Sequence, residues 1–318
     1  MRAVAYEQFG PPEVLKIVEV PEPVPGPGEI KLRVRATSVN PMDVVFRSGA
    51  LKGRAFSGVL RPKRTILGTD MAGEVAAVGD GVDDVVVGDR VVGITGFDAG
   101  AYAEYLCVDT KNVVTIPSTI GFSEAAAFSF AGLSSLLFLR KIGGLESGRH
   151  VLIVGASGGL GTFAVQLAAH YGAEVTGVCS TRHADLVHSL GAKEVIDYTQ
   201  NDPTAASDAY DVIFDAVAAG SFGAYKRALR PGGIYSNTVL GPRVLAAMAL
   251  NPLRRSGRRA HTMIASGDPQ EDLATLRDLF VEGSLKSVIE RTLPLEDVAE
   301  AHRHYETGHT VGKIVLTV

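Results

Sequence analysis

The chain has 318 residues, 46% hydrophobic and 21% charged, with a formal net charge of -4; it is too long for one small core and too apolar for disorder, so two globular units are expected. This slightly acidic balance leaves no electrostatic footprint for nucleic acid. Two distant cysteines, Cys107 and Cys179, build neither a disulfide framework nor a cysteine-based zinc site and fit a reducing, cytoplasmic setting. MRAVAYEQFGPPE has no basic segment ahead of a long apolar one, so no secretory signal is expected, and no charge-free apolar run approaches the ~20 residues of a bilayer span.

The first third reads as strands and turns. Ala3–Tyr6, Lys16–Val20 and Ile30–Val39 are β-rich, and PEPVPGPGE between the last two is a loop, since its prolines and glycines forbid helix and regular ladder. Thr69 to Ile94 alternates short Val-rich strands with turns at Gly79–Gly81 and Gly88-Asp89, the spacing of a compact barrel or sandwich. Near Ser118 the texture changes. STIGFSEAAAFSFAGLSSLLFLRK is Ala- and Leu-rich and reads as helix, with an imperfect capping box because Glu124 directly follows Ser123.

From Arg149 the rhythm becomes strand, helix, strand, helix. HVLIVG is a strand, Leu160–Tyr171 a helix, Glu174–Cys179 a strand and His183–Leu190 a helix. Strands at Glu194–Asp197 and Asp211–Ala216, a helix through Tyr225–Leu229 and a strand at Gly233–Ser236 follow. That alternation marks an α/β fold with a doubly wound parallel sheet. The basic cluster Arg254, Arg255, Arg258 and Arg259 reads as a solvated loop, with an anion site as the alternative. Gln270–Glu282 and Leu295–Thr307 are expected to be helical, and Lys313–Val318 is a strand that pattern assigns to neither unit. There is no internal repeat.

Gly155, Gly158 and Gly161 follow a buried strand and open a helix, with Ser157, Gly159 and Leu160 between them. Helix-start N–H groups and the helix dipole favour phosphate there, and glycines let a pyrophosphate approach the backbone. A ligand-free tight turn is the alternative. The next strand ends Cys179, Ser180, Thr181, Arg182, with no acid at its tip to accept from a ribose 2′-hydroxyl. Ser180 can donate to a 2′-phosphate and Arg182 can neutralise it, so NADP(H) is favoured; otherwise Arg182 is an exposed first-turn residue.

These stretches also carry a resemblance. ATSVNPMDVVFRSG, LGTDMAGEVAAVGDGV, GAYAEY, EAAAFSFAGLSSL, VLIVGASGGLG, GAKEVIDY, YDVIFDAV, LRPGGIY and GKIVL run in order over nearly the whole chain. The sequence resembles the medium-chain dehydrogenase/reductase superfamily in its zinc-independent quinone oxidoreductase (zeta-crystallin-like) branch. The resemblance implies a GroES-like β-barrel catalytic domain of residues 1–121 and 263–318, with KIVLTV returning to it. It also implies an inserted Rossmann NADP(H)-binding domain, 122–262, a cofactor cleft between the two, and a homodimer. Where zinc-dependent relatives carry cysteine and His-Glu ligands this chain has Asn40 and Gly68-Thr69-Asp70, so no catalytic zinc is expected. His302, His304 and His309 read as surface residues.

Without zinc, hydride transfer from NADPH to an electrophilic acceptor remains, a quinone or conjugated carbonyl. An alkenal, enone or enoyl-thioester reductase, and a non-catalytic NADPH-binding redox sensor, are the alternatives. Asn40 is the first catalytic candidate, holding the nicotinamide-side ribose or the substrate carbonyl, unless it is an Asn-Pro turn residue. Asp43 either bonds Asn40 or is a first-turn acid. By resemblance Phe46 walls the substrate pocket and Ser134 meets the nicotinamide amide, or bonds back to a carbonyl. Tyr198 packs near the adenosine phosphate or caps the sheet edge, Asp215 and Val217 lead a loop beneath the ribose, and Lys313 recurs at the cofactor side with a structural character. No general acid is evident. Residues 244–260 are the least family-like and line either the substrate pocket or a subunit interface.

Overall fold

The protein is described by a computed structural model covering residues 1–50, 57–262 and 268–318. It divides into two compact units, Met1–Phe130 with Asp268–Val318, and Ala131–Gly267. The division falls inside the helix Phe122–Leu136, because its first part is tied to the first unit: Phe128 stacks on Phe280, and Ser129 bonds Asp70. Helix Phe122–Arg140 is long and apolar enough by length and composition to cross a bilayer, though it carries Glu124 and Arg140; 67% of its most apolar window is buried in the protein, as in a core helix.

In chain order the strands are β1 (Arg2–Ala5), β2 (Lys16–Glu19), β3 (Glu29–Ser38), β4 (Asp70–Val78), β5 (Arg90–Ile94), β6 (Tyr105–Asp109) and β7 (Val113–Thr115). Then come β8 (His150–Val154), β9 (Glu174–Cys179), β10 (Glu194–Asp197), β11 (Tyr210–Asp215), β12 (Leu229–Asn237) and β13 (Arg259–Thr262). β14 (Ile289–Pro294) and β15 (Lys313–Thr317) follow.

In the first unit the sheet order is β14-β15-β3-β4-β5-β7, with β6 also on β3 and β1-β2 as a separate hairpin. β15 pairs antiparallel with β3, Val315 opposite Ser38, so the GKIVL strand belongs to this unit. Alternate residues of β3 (Ile30, Leu32, Val34) face a core with Met71, Val75 and Val91, the period-2 burial of a sheet with one face inward.

In the second unit six parallel strands run in the order β10-β9-β8-β11-β12-β13. This is the doubly wound dinucleotide-binding order, and its chain direction reverses between β8 and β11, where such sheets open a crevice at the strand ends. Two readings are corrected here. The helix placed at Tyr225–Leu229 is Phe222–Tyr225, because the Ser221 side chain accepts from Ala224 N–H and starts it earlier, and Leu229 already pairs with Tyr210 in the sheet. The arginine cluster is not wholly solvated: Arg254 lies over the Phe222 ring at 4.1 Å, and Arg258 binds Asp208 and the Leu229 carbonyl. Helix Pro242–Ala249, the turn Asn251–Leu253 and β13 account for most of 244–260, with Asn251 bonding both backbone groups of Ala260.

Candidate functional site

The glycine turn closes directly on β8. Gly155 and Ala156 N–H groups both donate to Val178 O of β9, and Gly158 N–H donates back to Gly155 O. Gly155 has φ 77, and a Cβ there would stand 2.6 Å from Val217. At Gly161 a Cβ would stand 2.0 Å from Gly155 O, so only glycine lets helix Gly159–His170 lie against the turn. That helix is capped by Gly158, with no side chain to accept from its first N–H groups. The Gly159, Leu160 and Gly161 amides therefore lack intrahelical acceptors, and the dipole adds positive charge. At Gly158 a Cβ would meet only Gly155 O at 3.4 Å, so the helix start is not crowded at its cap residue. An anionic phosphate fits this cradle.

Around the turn the structure gathers several of the expected residues and one that sequence reasoning missed. Ser157 Oγ and Ser180 Oγ each stand 3.3 Å from His183 Nδ1, so the two hydroxyls meet at one ring. Arg182 is exposed beside it. Asp197, at the end of β10, accepts from Thr181, Thr199 and Gln200, bonds that hold its carboxyl below the usual range. Tyr198 and Val217 are about half exposed, at 54% and 55%. The loop after β11 is shaped by Asp215, fully buried and accepting from Ala219 N–H at 3.1 Å, Gly220 N–H at 2.8 Å and the Tyr235 hydroxyl at 2.9 Å. Ser134 is buried. The backward bond foreseen for Ser134 is made by Ser135, which donates to Ala131 O at 2.8 Å and Leu160 O at 2.9 Å.

The catalytic candidates Asn40 and Asp43 sit in a buried polar network of the first unit, where Asp43 makes the bond to Asn40 that is one of its two readings. Asn40 starts helix Pro41–Ser48; its Nδ2 donates to Asp70 at 2.8 Å and its Oδ1 accepts from Lys313 Nζ at 2.6 Å. Asp70 also accepts from Ser38, from Ser129 Oγ at 2.6 Å, from Phe130 N–H at 2.8 Å and from Lys313 at 3.2 Å. Lys313 is the buried countercharge of Asp70, their side chains 4% and 0% exposed, in keeping with the structural character read for it. Asp43, Phe46 and Arg47 face inward along the helix at i, i+3, i+4 spacing. Phe46 packs in one apolar cluster with Val4, Leu67 and Tyr102.

Asp43 accepts from Asn40 N–H at 2.9 Å, Gly68 N–H at 3.1 Å and the Thr69 hydroxyl at 3.3 Å. Burial outweighs these donors and pushes its carboxyl up to about 7. His302 corrects the reading of surface histidines: on helix Val298–Glu306 it faces inward with Val298 and Ala301, its Nε2 3.2 Å from the Tyr102 hydroxyl. Burial and the nearby Arg47 charge push it down to about 3. His304, two residues on, points to Glu290 at 3.0 Å, and His309 is exposed.

These two groups set opposing pH slopes. Between its ordinary value of 3.8 and about 7, Asp43 is protonated when folded and ionised when unfolded, so stability falls as pH rises. Between about 3 and 6.5 His302 is neutral when folded and charged when unfolded, so stability falls as pH falls. In the overlap the wild type is expected to show a flat profile. Asp43→Asn should unmask the His302 slope and His302→Gln the Asp43 slope, each up to about 1.4 kcal/mol per pH unit. Urea midpoints from pH 4.5 to 6.5 check this; parallel profiles for wild type and both variants would refute it.

A six-stranded sheet in the 3-2-1-4-5-6 order, with a glycine cradle at its switch point, defines a dinucleotide-dependent class of protein. Comparison with known proteins is more specific. Residues 26–118 match the alcohol dehydrogenase GroES-like domain and residues 190–316 the zinc-binding dehydrogenase family. The chain is 36% identical to the quinone-oxidoreductase QR1, chloroplastic, of Triphysaria versicolor, over 99% of this chain and 98% of that protein. It is similar to the solved quinone oxidoreductase of Coxiella burnetii, with TM-score 0.89 and 32% identity over 100% and 99% of the two chains. The Escherichia coli quinone oxidoreductase complexed with NADPH follows at TM-score 0.86 and 25% identity, over 100% of both. The chain belongs to the medium-chain dehydrogenase/reductase superfamily, with quinone oxidoreductases among its relatives.

The zinc that one of these family descriptions implies does not fit the donors present. Asn40 and Asp70 are occupied by each other and by the Lys313 ammonium, a resident cation in the network. Among the described residues no group of three or more His, Cys, Asp or Glu converges. The glycine cradle, by contrast, fits the phosphates of a nicotinamide dinucleotide.

Proposed function

We propose that the protein is a zinc-independent, NADPH-dependent reductase that delivers hydride to a quinone or a similarly conjugated carbonyl. The observation that carries the cofactor choice is the end of β9, where Ser180 and exposed Arg182 stand with no acid in the ribose-binding position. The amides of Gly159, Leu160 and Gly161 bind the pyrophosphate, and Ser180 and Arg182 bind the ribose phosphate. When bound, the reduced nicotinamide supplies the hydride, two electrons with one proton. A quinone so reduced becomes a delocalised phenolate that takes its second proton from solvent, so no protein acid is required. The Asn40–Asp70–Lys313 network acts one step back, fixing the junction of β3 with helix Pro41–Ser48.

NADPH and NADH oxidation with a quinone panel and an enal panel tests this. Turnover of quinones with NADPH supports it; turnover of enals alone would favour the alkenal or enone reductase reading instead, and bound NADPH without turnover on either panel would refute a reductase. Arg182→Ala is expected to reduce the NADPH-over-NADH preference about tenfold to a hundredfold, the loss of one charge-assisted contact. An unchanged ratio of kcat/KM values for the two nucleotides would remove Arg182 from the site.

A further inference from the structure

His183 stands where two strand ends meet. Ser157 belongs to the turn after β8 and Ser180 directly follows β9, yet both hydroxyl oxygens lie 3.3 Å from the same ring nitrogen, Nδ1. The ring is half-buried at the end of the turn Thr181–His183, whose backbone is held by His183 N–H donating to Ser180 O at 3.0 Å. Nδ1 carries either one lone pair or one hydrogen. When it accepts, it takes the hydrogen of one serine and turns that oxygen's lone pairs outward, against an anion. When it carries a hydrogen, as the neutral Nδ1–H tautomer or as the charged ring, it donates to serine oxygen instead and both hydroxyl hydrogens are free to point outward; of these two forms the charged ring also attracts an anion. A dianionic phosphate on the serines therefore favours the protonated ring, by bond polarity and by charge.

We propose that His183 is a positioning residue that determines cofactor specificity: it sets the direction of the Ser157 and Ser180 hydroxyls, and its proton couples binding of the cofactor's ribose phosphate to pH. This rests on the NADPH assignment above. The other charged or titratable groups on the elements around the ring are Arg182 in the same turn and Asp185 and His188 on the following helix. Cys179 at the end of β9 and Asp197 and Tyr198 at the end of β10 complete the set, and the glycine turn carries none. Burial pushes the Cys179 thiol up, and the hydroxyl donors on Asp197 hold it low, so neither changes charge between pH 6 and 8.

Calorimetric titration of the full protein with NADPH and with NADH, from pH 8 to pH 6.5, tests the coupling. The expected result is NADPH binding that tightens about fourfold over this range, the part of a one-unit ring stabilisation that falls inside it, while NADH binding changes less than twofold. The range stops above pH 6 because the ribose phosphate itself takes up a proton near there. His183→Asn should flatten the NADPH profile, and the control His188→Asn should retain it. Titration in two buffers of different ionisation heat should show proton uptake on NADPH binding by the wild type, a readout that needs no variant. NADPH binding without proton uptake, an equal slope for NADH, or a wild-type slope in His183→Asn would each overturn the inference alone. Failure to bind either nucleotide would overturn the cofactor assignment and this inference with it.

Discussion

Lys313→Met is expected to destabilise the first unit by about 3–5 kcal/mol, the cost of leaving one member of a buried ion pair alone. Asp70 is fully buried, and every other donor to it is neutral: Ser38, Asn40, Ser129 and the Phe130 amide. Hydrogen bonds orient toward a buried carboxylate but do not cancel its charge, and methionine fills the volume of lysine without replacing the ammonium. Asn40 would lose the partner of its Oδ1 as well. Adding Asp70→Asn should recover most of the loss, since an uncharged pair of similar shape is tolerated far better than half of a charged one. Urea unfolding of the single and double variants measures both effects. A Lys313→Met variant within 1 kcal/mol of wild type would show that the pair does not hold β15 to β4.

The second large effect separates folding from binding at the glycine turn. Gly161→Ala places a Cβ against Gly155 O, where no side-chain rotation relieves the overlap, so the helix must lift from the turn. Destabilisation of about 1–3 kcal/mol is expected, together with loss of nucleotide binding. Gly158→Ala has no such conflict: φ is -82, and the new methyl touches only Gly155 O, at 3.4 Å. Its melting temperature should stay near that of the wild type, while the methyl intrudes on the space over the helix-start amides and weakens NADPH by about tenfold or more. Equal NADPH affinity in Gly158→Ala and wild type would mean that no phosphate approaches this turn.

What the chain revealed before folding follows from how far apart the interacting residues lie. The turn from Gly155 to Gly161 and the strand tip at Ser180 were legible because strand, glycines and helix are contiguous, and each local constraint repeats the same message. The Asn40 network was not, because its partners, Asp70 and Lys313, lie 30 and 273 residues away, and no pattern within a window joins them. His302 was misjudged because H-x-H does not state helical phase; one residue of the pair faces the core and the other Glu290. His183 is not legible for a related reason, since its neighbours in sequence do not disclose that Ser157 approaches from the turn after β8.

The pairing of β15 with β3 also has a consequence in time. Lys313 is synthesised 243 residues after the Asp70 it neutralises. At the usual 5–20 residues per second of translation, that is on the order of ten to fifty seconds. Throughout that interval the nascent first unit carries an uncompensated acidic group at its centre and lacks the strand that should lie between β3 and β14. The second unit is wholly contained in the intervening stretch, and its parallel sheet needs nothing from outside Ala131–Gly267 to pair its strands. On emergence from the ribosome the portion encoded in the middle is therefore expected to mature first, while the portion begun at Met1 waits for Lys313.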